Sequence, residues 1–482
     1  MKLRFWNRIS WILWVLLVCA LPLSSVPLVA RLVRSTSVAP ASLLFLIPLV
    51  LVSIPLMFVQ NSRLPFHIRP AILFFGFAAF TIGLSFFRSV PDYKDATLFA
   101  AALEGAVTLT LGFLFYLVSL VQPNSVSRVD KTLRVLNWVG LALIAWSILA
   151  VVIKQFVPAM RPLVNQFQAL ISVTRVGRTR MTGFASEPSW LAHMLNLVFL
   201  AYWLAATVTR TSVHKWRLWR FSFENLLLVG GVIVLVGTYS RGGLAAFMLV
   251  IGFLFILLNL RLIHWLTRRT EGVRRRLLGI LSGAGLVLIY AGLLVGGVFV
   301  LSKVDPRMED VFTFSENVEN PLIKYADSLQ FGDRVVYWQT GWNIFNQHPI
   351  AGVGVGFSGF YFKDNLPDAG WGLTETKDLL YRSNALMNVK NIWSRLLAET
   401  GLIGFALFIA LLFVSVVTSI DMVKSDNSRR RALGFMGVFM LIALLIEGFS
   451  VDSFALPYIW FTLGLTAAAW RWYFPQESSL NG

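Results

Sequence analysis

Hydrophobic residues run along this chain in blocks rather than in alternation. Stretches of about 20 apolar residues recur, and the short polar segments between them hold most of the lysines and arginines. An apolar run of that length, coiled as a helix, matches the thickness of a bilayer's hydrocarbon core. The pattern predicts about twelve spans, near 9–30, 39–60, 70–88, 96–121, 135–157, 186–208, 224–240, 242–260, 277–301, 398–420, 432–450 and 456–474, with ends good to about two to four residues. The first follows Lys2, Arg4 and Arg8, as in a secretion signal. It is longer than a signal's apolar region, lacks a small-residue cleavage site and is followed by further spans, so it is expected to be a retained helix. Between the ninth and tenth spans the periodicity changes, and residues 302–397 become polar, charged and aromatic. The expectation is an all-α polytopic membrane protein with one large outer loop. It divides into N-terminal helices (1–157), core helices with arginine-bearing outer loops (158–301), the large loop (302–397) and C-terminal helices (398–482).

Composition supports this class: 57% of the 482 residues are hydrophobic and 14% charged, with a mean hydropathy of +0.70, outside the range of soluble domains. The net charge of +18 reads first as a topology signal. The N-terminus, Arg63–Arg69, Arg128–Arg134, Arg210–Arg220, Arg261–Arg276 and Lys424–Arg431 fall on one side when the spans alternate. By the positive-inside rule that side is cytoplasmic and holds both termini. The large loop then faces the periplasm of a bacterial inner membrane. The basic residues are dispersed between spans, which argues against nucleic-acid binding. The single cysteine, Cys19, excludes an intramolecular disulfide.

The informative charges lie on the other side. The outer loop 158–185 carries Arg161, Arg175, Arg178 and Arg180 with no acid before Glu187, and Arg241 sits in the tight hairpin Gly237–Gly243 between two spans. Cations at such positions usually face a cavity or a partner. The planar arginine fork matches phosphate oxygens two at a time and keeps its charge. Arg180, Arg241 and Arg334 are therefore candidates to converge on a pyrophosphate; the alternative is that Arg334 pairs with Asp333 and Arg180 with Glu187. From Arg334 onward, Val335, Trp338, Trp342 and Phe345 recur at helical spacing and predict an amphipathic helix on the membrane interface, although packing against neighbouring helices gives the same stripe. This helix also bears Tyr337, a candidate glycan contact. The run Gly352-Val-Gly354-Val-Gly356 lacks the context of a nucleotide loop and reads as close backbone packing or substrate approach. Residues 363–382 are expected to form a mobile lid or docking region.

Three stretches resemble the O-antigen polymerase/ligase family, the Wzy_C-type membrane glycosyltransferases. They are Arg180-Met-Thr-Gly183-Phe-Ala-Ser-Glu187-Pro-Ser189, then Tyr239-Ser-Arg241-Gly-Gly243, then Arg334 with Trp338 followed by His348-Pro349, the glycine run and Glu399-Thr-Gly401-Leu-Ile-Gly404. The resemblance covers roughly residues 175–420. It implies a GT-C-like helical fold whose large loop is periplasmic. It also implies transfer of a glycan from an undecaprenyl-pyrophosphate carrier to an acceptor hydroxyl, with no metal or other cofactor. Arginines matching Arg180, Arg241 and Arg334, with Arg178 beside them, would hold the pyrophosphate as it leaves. Asp92, Asp95, Glu309 and Asp310 are the acids left as possible metal ligands, and they read more simply as solvated surface. The family's ligases carry a His-Asn pair nine residues before the motif Glu; here those positions are Lys390 and Asn391. A lysine of ordinary pKa near ~10.4 is a poor base but a good phosphate contact. Glu187 is then the first candidate for the general base and His348 the second. The expected activity is that of a polysaccharide polymerase, using a second lipid-linked repeat unit as acceptor and working with membrane lipid and a chain-length regulator. An O-antigen ligase acting on lipid A–core is the alternative. Glu104 and Glu447, each within a span, keep a transporter or flippase open as a third reading.

Overall fold

The computed structural model describes residues 2–33, 39–60, 64–174, 179–268, 272–304, 325–326 and 331–473. The described helices are α1 (Lys2–Ala20), α2 (Pro27–Val33), α3 (Leu43–Val59), α4 (Ile68–Ser85), α5 (Leu98–Val121), α6 (Val126–Phe156), α7 (Arg161–Ile171), α8 (Pro188–Val208), α9 (Phe223–Gly237), α10 (Arg241–Thr267), α11 (Gly272–Val304), α12 (Gly332–Gln347), α13 (Ile392–Val423), α14 (Ser428–Glu447) and α15 (Pro457–Trp472). Each predicted span coincides at least in part with a helix. Eight helices are long and apolar enough to cross a membrane, and α3 and α9 are shorter apolar helices. The protein is an all-α, multi-pass membrane protein; among the described residues the only sheet pairs Arg217–Leu218 with Phe221–Ser222.

Three of the boundaries that differ from expectation have a visible cause. The first segment is not one span over 9–30: α1 stops at Ala20 before Pro22, and the chain turns so that the Val26 N–H reaches the Ala39 carbonyl at 2.9 Å. α6 starts at Val126 rather than 135, because the Ser125 hydroxyl accepts from Arg128 N at 3.3 Å and caps the helix early. α13 starts at Ile392, inside the expected loop, for a similar reason given below.

Helix α8 lies at the centre, with Leu191–Ala206 buried throughout and a wide π turn at Leu195–Phe199. Around it pack α9, α10, α14 and α15. Small residues set the spacing, as membrane helices require in the absence of a hydrophobic drive between them: a Cβ on Gly112 would lie 2.9 Å from Trp460 Nε1.

The large loop is anchored by an exchange of backbone hydrogen bonds. Helix α13 breaks at Gly401, whose φ of 61° and ψ of −166° are not helical. The break releases carbonyls and N–H groups that the bilayer cannot satisfy. The glycine run answers it: Val353 N donates to Ala398 O and Gly354 N to Glu399 O, both at 2.8 Å. In return Leu402 N donates to Pro349 O at 2.8 Å and Ile403 N to Ile350 O at 3.3 Å. Backbones approach so closely that a Cβ on Gly401 would overlap the Ile350 carbonyl, and one on Gly352 would lie 2.6 Å from Ala398 O. The glycine run is thus a packing device, which is one of the two readings its sequence allowed.

Residues 363–382 do not form a bare lid. Short helical turns run through Lys363–Asn365, Asp368–Gly372, Thr374–Lys377 and Asp378–Arg382. Leu366, Leu373 and Leu380 form a small core with Val336, Tyr337, Phe362 and Met387. Asp333 pins the cap by accepting from Thr376 N at 3.2 Å and Thr376 Oγ1 at 3.0 Å.

Replacing Gly401 with alanine forces a left-handed backbone on a residue with a Cβ and a clash with main chain, a cost of at least about 3 kcal/mol. Gly76 in α4 has nothing within 4 Å of a built Cβ. Gly401→Ala is expected to lose the cooperative melt in detergent while Gly76→Ala keeps the wild-type melting temperature; equal melts would remove the helix break from its anchoring role.

Candidate functional site

The outer ends of α8, α9, α10, α12, α13 and α14 meet around two tight turns. The first is the hairpin between α9 and α10. Met181 N donates to Gly237 O at 2.8 Å, which lays Arg180 along the hairpin. Its Nε donates to Thr238 O at 3.0 Å and its Nη2 to Tyr239 O at 3.5 Å. A guanidinium there satisfies carbonyls at the C-terminal, negative end of α9. Tyr239 takes a positive φ of 49°, unusual for a residue with a side chain, and turns the chain into Ser240 and Arg241. The Ser240 hydroxyl accepts from Gly243 N at 3.3 Å, so α10 begins with Arg241 as its first residue, in the positive end of the helix dipole. The structure therefore brings Arg180 and Arg241 to one hairpin. The Arg180–Glu187 pair is not formed: the Arg180 guanidinium reaches these carbonyls, and the Glu187 carboxylate accepts from Ser189.

The second turn, Gly448–Leu456, joins α14 to α15 and touches nearly everything else. A Cβ on Gly242 would lie 2.7 Å from Ser450 Oγ, which puts this turn against the start of α10. Ile392 N donates to Gly448 O at 2.8 Å, tying in the start of α13. The Phe449 ring meets Trp338 of α12 edge-on, with centroids 5.9 Å apart. Arg334 stands one turn before Trp338. Its guanidinium makes no ion pair or hydrogen bond among the described residues, and Asp333 is held by Thr376 instead. The Arg334–Asp333 pairing is therefore not formed. The hairpin and α12 thus lie against the same turn, the first at Ser450 and the second at Phe449.

Helix α12 turns its tryptophan stripe outward, as the interface reading of the stripe expects and the packing alternative does not. Its buried face is Val336, Tyr337, Thr340 and Ile344, whereas Trp338 and Trp342 are 47% and 48% exposed. The tryptophans point outward, where the interface between lipid and water favours them.

Three residues expected at the substrate are engaged elsewhere. The Tyr337 hydroxyl is buried without a hydrogen-bond partner, and burial, then Glu375, pushes its ionisation well above the usual phenol range. Lys390 lies over the Tyr337 ring, 5.1 Å from its centre, and its ammonium pairs with Glu375 of the cap. Asn391 caps α13: its Oδ1 accepts from Trp393 N at 2.9 Å and Ser394 N at 3.2 Å. That cap is why α13 starts at Ile392. Lys390 itself has a φ of 49°, a strained setting that turns the chain from the cap into the helix.

The two base candidates differ in setting. Glu187 precedes Pro188 at the N-terminus of α8 and is exposed; its Oε2 accepts from Ser189 Oγ at 3.2 Å. His348 ends α12, edge-on to Tyr361 at 5.3 Å, and burial with the nearby Arg88 guanidinium lowers its pKa, so the imidazole is neutral at pH 7. Arg178, together with Glu309 and Asp310, lies outside the described residues. Among those described, no three His, Cys, Asp or Glu side chains gather as metal ligands.

Sequence reading missed a buried charge cluster behind the glycine run. Arg395 Nε donates to Glu399 Oε2 at 2.9 Å and its Nη1 to Asp452 O at 2.9 Å, while Ser358 Oγ donates to Glu399 Oε1 at 2.7 Å. Arg395 and Glu399 are 8% and 1% exposed. Their spacing of four along one helix was the available signal. Arg88, which donates to Gly352 O, was also missed; its partner is 264 residues away in sequence.

Residues 226–409 match the Wzy_C family model, described as O-antigen ligase. That segment includes Arg241, Arg334, His348, Lys390 and Glu399, while Arg180, Glu187 and Ser450 lie outside it. No curated protein matches the chain.

Because the Tyr337 hydroxyl is buried and unpartnered, Tyr337→Phe is expected to keep transfer activity within about twofold and to leave the melting temperature unchanged or raised. A large loss of turnover in a folded Tyr337→Phe protein would place that hydroxyl in the chemistry.

Proposed function

We propose, from the membership of residues 226–409 in the O-antigen polymerase/ligase family, that the protein is a polysaccharide polymerase of the bacterial inner membrane. In this reading it is GT-C-like in architecture, with both termini cytoplasmic and the site facing the periplasm. The donor is an undecaprenyl-pyrophosphate-linked glycan and the acceptor a sugar hydroxyl of a second lipid-linked repeat unit. The observation that supports the reading is that the Arg180–Arg241 hairpin and α12, whose Arg334 has no ion pair or hydrogen bond among the described residues, both lie against the Gly448–Leu456 turn, through Ser450 and Phe449 respectively.

The chemistry follows from those cations. The acceptor oxygen attacks the anomeric carbon, the bond from that carbon to the pyrophosphate oxygen breaks, and its electron pair leaves with the pyrophosphate. Negative charge grows on the leaving group as the bond stretches. Arg241, at a helix N-terminus, and Arg334 are fixed donors toward that charge, and losing one such donor costs about 3–4 kcal/mol of barrier. Arg180 supports them by holding the carbonyls of the hairpin. The acceptor proton passes to Glu187, which is exposed at the start of α8, or to the neutral His348. Lys390 acts in this scheme as the anchor of the cap through Glu375. A lysine where the ligases carry histidine favours the polymerase over transfer to lipid A–core, and a chain-length regulator is the expected partner.

The test supplies purified protein in nanodiscs with an undecaprenyl-pyrophosphate-linked repeat unit alone, in the presence of a chelator. A ladder of lengthening glycans is expected, reduced at least about a hundredfold by Arg241→Ala. Single transfer only after lipid A–core is added would make the protein a ligase. No transfer to either acceptor, with partner proteins restored, would favour a transporter of the same lipid-linked anion.

A further inference from the structure

Beneath the hairpin lies a polar cluster inside the helix bundle that the transfer chemistry does not use. Glu447, the last residue of α14, is 1% exposed. Its Oε1 accepts from Asn196 Nδ2 at 2.6 Å, and its Oε2 lies 3.3 Å from Nδ1 of His193, also 1% exposed. The same Asn196 amide nitrogen donates to the Gly243 carbonyl at 2.8 Å. Asn196 stands in the π turn of α8, a widening of the helix often found at functional sites.

This arrangement is poorly explained as packing. His193 Nε2, Asn196 Oδ1 and the hydroxyl of Tyr458, whose ring lies 5.9 Å from the His193 ring, are buried without hydrogen-bond partners. Native structures hold few such groups, because each is costly. A buried polar pair such as His193 and Glu447 also gives little net stability compared with apolar residues of the same size. What the cluster does achieve is geometric. Gly243 is the third residue of α10: its N–H is held by Ser240 and its carbonyl by Asn196, and a Cβ there would overlap Ala192. The first turn of α10 is thereby fixed from the cap side and the core side together. Arg241 is on that turn.

We propose that Asn196, held by Glu447, which His193 meets on its other oxygen, is a positioning residue that aims Arg241 at the pyrophosphate. The inference rests on the pyrophosphate reading given above, and it adds a support outside the segment matched by the family. Asn196 reaches the ligand only through the first turn of α10, so its effect should vanish once Arg241 is gone.

A double-mutant cycle tests this, with inorganic pyrophosphate as the probe and calorimetric titration of the full chain in nanodiscs as the readout. Arg241→Ala is expected to raise the Kd by about tenfold or more, and Asn196→Ala by about fivefold. The double variant should bind no more than about twofold more weakly than Arg241→Ala alone, because coupled sites are not additive. Glu447→Gln, which keeps an oxygen for Asn196, should lose less than Glu447→Ala. If Asn196→Ala does not fold, Asn196→Ser, which shortens the reach of the donor, takes its place in the cycle. Losses that multiply to about fiftyfold, or a folded Asn196 variant that binds like wild type, overturn the positioning role alone. Wild-type protein that binds no pyrophosphate overturns the functional reading and this inference with it.

Discussion

A membrane helix cannot break without somewhere for its backbone to go, and the break at Gly401 governs how the outer half of this protein is built. The carbonyls of Ala398 and Glu399 and the N–H groups of Leu402 and Ile403 are all answered by residues 349–354. Because the exchange is backbone to backbone, it needs glycines at the contact, and it fixes the large loop in register on α13. Everything that the loop carries, from α12 with Arg334 to the cap over Tyr337, inherits its position from that seam.

The buried charges make sense against the same seam. Arg395 reaches Glu399 within α13 and the Asp452 carbonyl in the turn after α14, while Glu399 also holds Ser358 just past the glycine run. One ion pair thus ties the loop, the broken helix and the Gly448–Leu456 turn. Removing one partner would leave an uncompensated buried charge, which is far more costly than the pair is beneficial. The pair specifies which segments meet. The arginines of the candidate site differ in kind: Arg334 has no ion pair or hydrogen bond among the described residues, and Arg241 is placed at the positive end of a helix.

That division explains what O-antigen ligase/polymerase-type activity requires of the fold. In the proposed transfer, charge that develops on a leaving pyrophosphate would have to meet donors already in place, since reorganising them during the reaction would consume the gain. Backbone seams and buried pairs hold the outer ends of six helices rigid, and the arginines stand on those ends. The cap of residues 363–382 is held to α12 by the bond of buried Thr376 to Asp333 and to the start of α13 by Lys390–Glu375, a partly exposed ion pair that is weak on its own.

Sequence by itself determined the class, the helices and the identity of the outer cations. Apolar runs of bilayer length are a one-dimensional signal, and so is the excess of arginine in outer loops that ordinarily avoid it. The ordered motifs around Arg180, Arg241 and Glu399 also belong to the sequence, and those around Arg241 and Glu399 fall within the family match over residues 226–409. Tertiary structure decided what each group touches. Asn391 turned out to cap a helix, Tyr337 to bury its hydroxyl, and Lys390 to pair with Glu375. The face of α12 that enters the core is the one opposite its tryptophan stripe. The Asn196–Glu447 contact and the Arg88–Gly352 contact span 251 and 264 residues. Hydropathy and spacing report local geometry along one helix. A hydrogen bond between helices distant in the chain depends on how they pack, and that is settled only when the whole bundle has formed.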